Sequence, residues 1–181
     1  MTNIIFSSVI KGLNEATTDP EHPFRYFALA TLNLSYTPTM RTVVLREVDE
    51  MLKLTIYTDK RSEKITHIKT YNSTSLLFFD PKKFIQITIE AKAKIIETPE
   101  KIQSLWENVP LRSRRAYTTK LSPGQEIIDP EVIDYLEDTH FFSAIEFTPY
   151  RIEYLKLLRP NHIRVRFEKE NEEWKSNFIV P

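Results

Sequence analysis

Two short segments of the sequence combine cations with hydroxyl groups at a spacing that could bind an anion. Arg41 and Arg46 bracket the first segment, and the second runs from Tyr57 to Lys64. The second segment leads into a predicted helix, whose free backbone amides and dipole favour negative charge. Arg41, Arg46 and Lys64 could therefore clamp a phosphate group. The alternative interpretation is that these are solvated charges at strand edges, because charged residues lie mostly on surfaces.

A third group of cationic side chains lies near the end of the chain. His162, Arg164 and Arg166 alternate with apolar residues, so a strand would present all three on one face. Such a face could receive an anionic substrate. The other histidines lack metal-ligand spacing and are predicted to have surface or capping roles: His22, His67 and His140.

The composition limits what the chain can do. It contains no cysteine, which excludes disulfides, thiolate metal sites and a cysteine nucleophile. With 25 Lys plus Arg and 25 Asp plus Glu, the net charge is zero, which argues against nucleic acid or a membrane surface as a partner. Gly12 and Gly124 are the only glycines, too few for a glycine-rich phosphate loop. A bound phosphate must therefore be held by side chains.

The elements that must position these residues are mostly strands. Between Ile85 and Ile95 the alternation of apolar and polar residues is unbroken, which is typical of a half-solvated antiparallel strand. Further strands are predicted at 26–34, 42–48, 52–57, 75–79, 141–147, 151–155, 162–167 and 174–180. Helices are predicted at 3–15, 62–71, 99–107, 111–118 and 130–138. This pattern indicates a mainly β (α+β) fold, a single domain over residues 1–181 in which antiparallel strands form a barrel with peripheral helices.

Four motifs, in the same order, resemble those of the pyridoxamine 5′-phosphate oxidase family. Residues 41–46 resemble the family's R-x-V-L-L-K strand, and residues 57–64 resemble its Y-T-x-x-x-S-R-K turn. Gln86 falls on the following strand, where the family carries a glutamine. The closing strands resemble the family at Ile152-Glu153-Tyr154, Arg166-Phe167 and Trp174. The resemblance covers Phe24 to Pro181 and implies an FMN-binding split barrel.

The resemblance also implies a homodimer with the flavin at the subunit interface. Arg41 and Lys64 would contact the FMN phosphate, and Arg166 would approach the flavin from the partner subunit. The implied cofactor-binding residues are Arg41, Thr42, Val43, Val44, Arg46, Tyr57, Thr58, Arg61, Ser62, Lys64, Gln86, Ser113, Arg114 and Arg166.

This sequence departs from the family in three respects that bear on function. Glu63 stands where an arginine usually precedes the lysine, and Leu155 replaces a tryptophan. In the family's R-x-H-x-R strand the first two positions grip the substrate, so the resemblance implies His162 and Arg164, in exchanged order here, as the predicted catalytic, substrate-gripping residues.

Two functions follow from the resemblance. We predict a cytoplasmic FMN-dependent oxidoreductase, with a small anionic substrate whose identity the sequence leaves open. The alternative is a protein that binds FMN or a related cofactor, or relays electrons, without catalysing a reaction. A small nucleic-acid-binding barrel is disfavoured because no stripe of aromatic and basic residues is present.

Overall fold

The structure is a computed structural model that describes residues 1–181. Nine strands form one antiparallel sheet, which curls into a half-barrel and is accompanied by four helices. The strands are β1 (Tyr26–Leu32), β2 (Pro38–Val44), β3 (Glu47–Val48), β4 (Leu54–Asp59), β5 (Ser73–Asp80), β6 (Ile85–Ile95), β7 (Phe142–Lys156), β8 (Ile163–Glu170) and β9 (Glu173–Phe178). The helices are α1 (Thr2–Thr18), α2 (Glu63–Thr70), α3 (Pro99–Glu107) and α4 (Leu111–Arg114), and a 3₁₀ turn follows at Arg115–Tyr117. The predicted mainly β split barrel is confirmed.

The sheet runs in the order β2-β1-β5-β6-β7-β4-β3, with β8 and β9 continuing from β7. Strand β6 has the predicted bounds, and its alternate residues Ile87, Ile89, Ala91 and Ala93 are buried on the inner face. Helix α1 packs against this inner face through Val9, Leu13 and Ala16. We call this side of the sheet the core face and the opposite side the outer face.

Helix α1 approaches the core closely at one of the two glycines. A Cβ atom on Gly12 would lie 3.1 Å from the Phe24 ring, so glycine allows the helix to pack against Phe24. Gly124 has φ +90° and lies in a turn, which glycine adopts without strain. Neither glycine takes part in a phosphate-binding loop. None of the helices is both long and apolar enough to span a membrane.

The predicted strand 42–48 is divided into β2 and β3 by a change of partner. Strand β2 pairs with β1, whereas β3 pairs with β4. Between them, the Leu45 amide donates to Arg25 O and the Arg46 amide donates to Thr55 O, at 2.8 and 2.9 Å. The chain therefore turns a corner at these two residues, and this corner bends the sheet into a half-barrel.

The strands predicted at 141–147 and 151–155 are instead one continuous strand, β7. Ala91 pairs with Pro149 and Glu90 with Arg151, which leaves Tyr150 as an extra residue on β7. This β-bulge accommodates Pro149 within the sheet because the irregular position does not require the missing amide hydrogen.

The prediction of a helix over 130–138 is wrong. This segment contains turns and one isolated bridge between Thr119 and Tyr135, and its residues from Pro130 to Asp134 are exposed. Without a buried apolar face the segment gains nothing from packing as a helix. The helix predicted over 111–118 is shorter than expected, because α4 ends at Arg114 and a 3₁₀ turn replaces its second half.

Candidate cofactor-binding site

Two of the predicted phosphate ligands lie together where β4 leads into α2. Strand β2 places Arg41 opposite Leu29, on the core face of the sheet. Helix α2 begins at Glu63, with Ser62 at the N-cap position, so Lys64 lies in its first turn. The Lys64 Nζ donates a hydrogen bond to Thr58 Oγ1 at 3.0 Å.

These two cations have no carboxylate partner. Neither Arg41 nor Lys64 forms an ion pair. Burial lowers the pKa of Lys64 and the nearby positive charge of Arg41 lowers it further, while Asp59 acts in the opposite direction. Burial likewise lowers the pKa of Arg41, against the influence of Glu63. The site therefore holds two half-buried, mutually repelling positive charges that an anion would neutralise.

The hydroxyl groups around these cations extend the polar cluster. Thr58 Oγ1 lies 3.1 Å from Ser62 Oγ, which in turn donates to Asp59 O at 2.8 Å. Both hydroxyl-bearing side chains are buried, and both were predicted as cofactor ligands from the sequence. Arginine, lysine and hydroxyl donors around one point are the chemistry that phosphate recognition requires.

Three further residues support Arg41, and the sequence did not reveal them. Arg41 donates from Nη1 to Thr31 Oγ1 at 2.6 Å and from Nη2 to Thr39 Oγ1 at 2.8 Å. Behind these hydroxyls lies His67, whose Nδ1 is 3.1 Å from Thr31 Oγ1. The surface or capping role predicted for His67 is wrong, because its side chain is buried on the inner side of α2. Its spacing of three residues from Lys64, on the same helix face, was the available signal.

The charged side chains close to Lys64 in sequence form no ion pair with Lys64 or Arg41. Glu63 is exposed and forms no ion pair. Arg61 is bound to Asp59 by two hydrogen bonds, of 2.6 and 3.0 Å, and its guanidinium lies 3.3 Å above the Phe141 ring. Asp59 already compensates the charge of Arg61. A cofactor role for Arg61 stays a prediction.

A second group of predicted residues lies on the other side of β4. The guanidinium of Arg46 is 5.5 Å from the centre of the Tyr57 ring, and Tyr57 donates from its hydroxyl to Glu47 at 2.9 Å. Burial raises the pKa of Tyr57, and the adjacent carboxylate of Glu47 raises it further. Tyr117 and Phe142 pack beside Tyr57 in a small aromatic cluster.

A third group lies on the outer face of β6, β7 and β8. Gln86, Arg164 and Arg166 share this face, whereas Val165 is buried on the core face. Glu153 lies between the two arginines and accepts from Arg164 at 2.7 Å and from Arg166 at 2.8 Å. Burial alone would raise the pKa of Glu153, but the hydrogen bonds from both arginines hold it below its usual value.

The remaining predicted residues are dispersed. His162 is exposed in the loop before β8, and its Nδ1 accepts from the Leu158 amide at 3.1 Å. Arg114 donates to the carbonyls of Trp106 and Glu107 at the end of α3 and to that of Val109 just beyond it, while Ser113 is half-buried beside it. On β2, Thr42 and Val44 face outward, and Val43 faces the core.

Within one protomer the predicted ligands therefore do not form one site. Arg41 and Lys64 lie on the core face of the half-barrel, whereas Gln86 and Arg166 lie on the outer face. A single ligand could reach both groups only if the outer face of a second copy covered the phosphate pocket of the first.

The comparison with known families agrees with the fold. Residues 6–97, slightly more than half of the chain, match the family described as pyridoxamine 5′-phosphate oxidase, FMN-binding domain, and the chain belongs to this family. No curated protein matches the sequence.

Solved structures with the same fold are distant in sequence. A pyridoxamine 5′-phosphate oxidase-related, FMN-binding protein from Nostoc punctiforme PCC 73102 aligns with a TM-score of 0.80 and 21% identity, covering 97% of this chain and 96% of that one. PhzG from Burkholderia lata 383, in complex with tetrahydrophenazine-1-carboxylic acid, aligns with a TM-score of 0.77 and 17% identity, covering 99% and 92%. A protein from Clostridium acetobutylicum related to general stress protein 26 gives 0.62 and 16%, covering 93% and 98%. At these identities the likeness shows the fold.

Proposed function

We propose that this protein binds FMN with its phosphate between Arg41 and Lys64. The observation that carries the proposal is the pair of half-buried cations that lack any carboxylate partner, in a chain of an FMN-binding family. A phosphate would replace mutual repulsion with two charge-assisted contacts. Thr58 and Ser62 would donate or accept beside it, and the half-buried position would strengthen each contact relative to open solvent.

The opposite placement of the two predicted ligand groups supports a homodimer. We infer that Gln86 and Arg166 serve the flavin held by the partner subunit, because in their own protomer they lie on the face away from Arg41. We also propose that residues 1–181 are one domain, since all nine strands belong to one sheet.

The proposed activity is oxidation or reduction of a small anionic substrate. Bound FMN supplies hydride or electron transfer, and the protein supplies its binding, orientation and electrostatic surroundings. His162 and Arg164 are the proposed substrate-binding residues, from the exposed loop and the outer face that adjoin Gln86. Pyridoxamine 5′-phosphate is the first substrate to test.

One observation favours the alternative, an FMN-binding or electron-relay protein without substrate turnover. Glu153 accepts hydrogen bonds from both Arg164 and Arg166, so the positive charge predicted to attract a substrate is partly compensated. Of the three cationic side chains predicted on this face, His162 alone has no carboxylate partner.

The decisive experiment is the visible absorption spectrum of the purified protein, recorded before and after addition of FMN and followed by gel filtration. A flavin band that travels with a dimer is the expected result, and pyridoxamine 5′-phosphate turnover is then assayed on that fraction. Absence of a flavin band together with no response to added FMN would overturn the proposal. Flavin retained by a monomer would contradict the shared site but keep the phosphate pocket. Bound flavin without turnover of any anionic amine or alcohol would favour the alternative.

A further inference from the structure

His67 lies directly behind the hydroxyl groups that hold Arg41. It is only 6% exposed, although histidine is a polar side chain in a helix whose opposite side faces solvent. Its Nδ1 is 3.1 Å from Thr31 Oγ1 and 3.3 Å from Thr39 Oγ1. A buried histidine with two hydroxyls at one nitrogen is part of a built hydrogen-bond network.

Arg41 fixes the direction of two hydrogen bonds in this network. A guanidinium only donates, so Thr31 Oγ1 and Thr39 Oγ1 both accept from Arg41. The Thr39 hydroxyl has its own acceptor in Thr31 O, at 3.2 Å. The Thr31 hydroxyl can then donate to Nδ1 of His67 when the ring proton is on Nε2, or to Thr39 Oγ1 at 3.2 Å.

We propose that His67 is a positioning residue for phosphate binding: it orients the Thr31 hydroxyl, and through it the guanidinium of Arg41. This inference rests on the proposed FMN site. The contacts to Leu29 O, Thr31 and Thr39 use two hydrogens on Nη1 and one on Nη2. Nε–H and one Nη2 hydrogen are left for an anion.

Preorganisation is the physical reason for such an arrangement. A free arginine side chain samples many rotamers, and fixing one costs conformational free energy. In this protein the network fixes the Arg41 rotamer before any ligand arrives, so the ligand does not bear that cost. His67 itself never touches the phosphate.

The test compares two flavins and two substitutions. Riboflavin lacks the phosphate, so the ratio of FMN affinity to riboflavin affinity measures the phosphate pocket alone. His67→Leu removes the acceptor, whereas His67→Asn keeps an oxygen acceptor close to the position of Nδ1. We expect His67→Leu to weaken FMN binding roughly five- to tenfold with riboflavin binding unchanged. His67→Asn should restore most of the FMN affinity.

The outcomes separate this inference from the proposed function. Wild-type protein that fails to bind FMN overturns both. If Lys64→Met lowers the FMN-to-riboflavin ratio but His67→Leu does not, the phosphate site stands and the role of His67 is overturned. Equal loss of both flavins in His67→Leu would also overturn it, since that result indicates general damage to the fold. Thermal unfolding of each variant without ligand identifies such damage independently.

Discussion

Two clusters of cations in this protein are built in opposite ways. At the proposed phosphate site beside the start of α2, Arg41 and Lys64 donate hydrogen bonds only to hydroxyls and a carbonyl, form no ion pair and repel each other. On the outer face of β7 and β8, Arg164 and Arg166 share the carboxylate of Glu153. The first cluster lacks a counter-ion that a ligand must bring, whereas the second already contains its own. Uncompensated charge, more than charge itself, distinguishes the site where we propose that the ligand binds.

The largest expected effect comes from removing a cation of the first cluster. Lys64→Met should weaken FMN binding about 10- to 100-fold, because a charge-assisted contact to the phosphate is lost. Flavin fluorescence titration measures the change. Lys69→Met is the matched control, since Lys69 is an exposed residue of the same helix with no polar contact to the pocket. Equal affinities for the two variants would place the phosphate elsewhere.

A smaller effect on stability is expected in the second cluster. Glu153→Gln leaves two arginines without their shared counter-ion and should lower the free energy of unfolding by about 1 kcal/mol, since the pairs are partly solvated. The dependence on pH has a defined sign. Because the folded pKa of Glu153 lies below 4.5, wild type keeps this stabilisation above that pH and loses it as the pH falls through the folded value. Urea unfolding at several pH values should show the two proteins converging in acid; a constant difference would contradict the ion-pair explanation.

The smallest expected effect is an increase in the free energy of unfolding, whereas the substitution in the second cluster lowers it. This opposite sign sharpens the contrast between the two clusters. Without ligand, Lys64→Met should raise the free energy of unfolding by roughly 0.5 kcal/mol near neutral pH, because it removes a desolvated charge that Arg41 repels. The folded pKa of Lys64 is lowered from 10.5, so the unfolded chain holds more protons as the pH approaches that value. The wild-type stability should therefore rise towards alkaline pH and approach that of the variant. A Lys64→Met protein less stable than wild type would show that the cation is structural.

Regular elements could be predicted from the sequence where the local pattern and the packing agree. Strand β6 and helix α3 have the predicted bounds, because β6 is half-solvated along its whole length and α3 begins with Pro99. The corner at Leu45 and the bulge at Pro149 depend on which strands pair, and local patterns do not contain that information. The segment 130–138 shows the opposite case: its local pattern predicts a helix, but no packing partner is present and no helix forms.

The site could be predicted only in part for a related reason. Arg41, Thr58 and Lys64 were found because they are close in sequence to recognisable motifs. Glu153 pairs with Arg166 through the register of β7 and β8, and His67 meets Thr31 only in the folded sheet. The assigned cofactor roles, the catalytic roles of His162 and Arg164 and the cytoplasmic location stay predictions.

The pairing of β4 with β7 governs when the pocket can form during synthesis. Thr58 is paired with Ser143, roughly 85 positions further along the chain, and β6 also needs β7 along its length. A nascent chain synthesised through α2 already contains Arg41, Lys64 and His67. At that stage β4, the strand that leads into α2, still lacks its partner β7. The first half of the polypeptide contains most of the pocket's side chains but not the strand that fixes their separation. The proposed cofactor site can therefore form only after β7 has been synthesised.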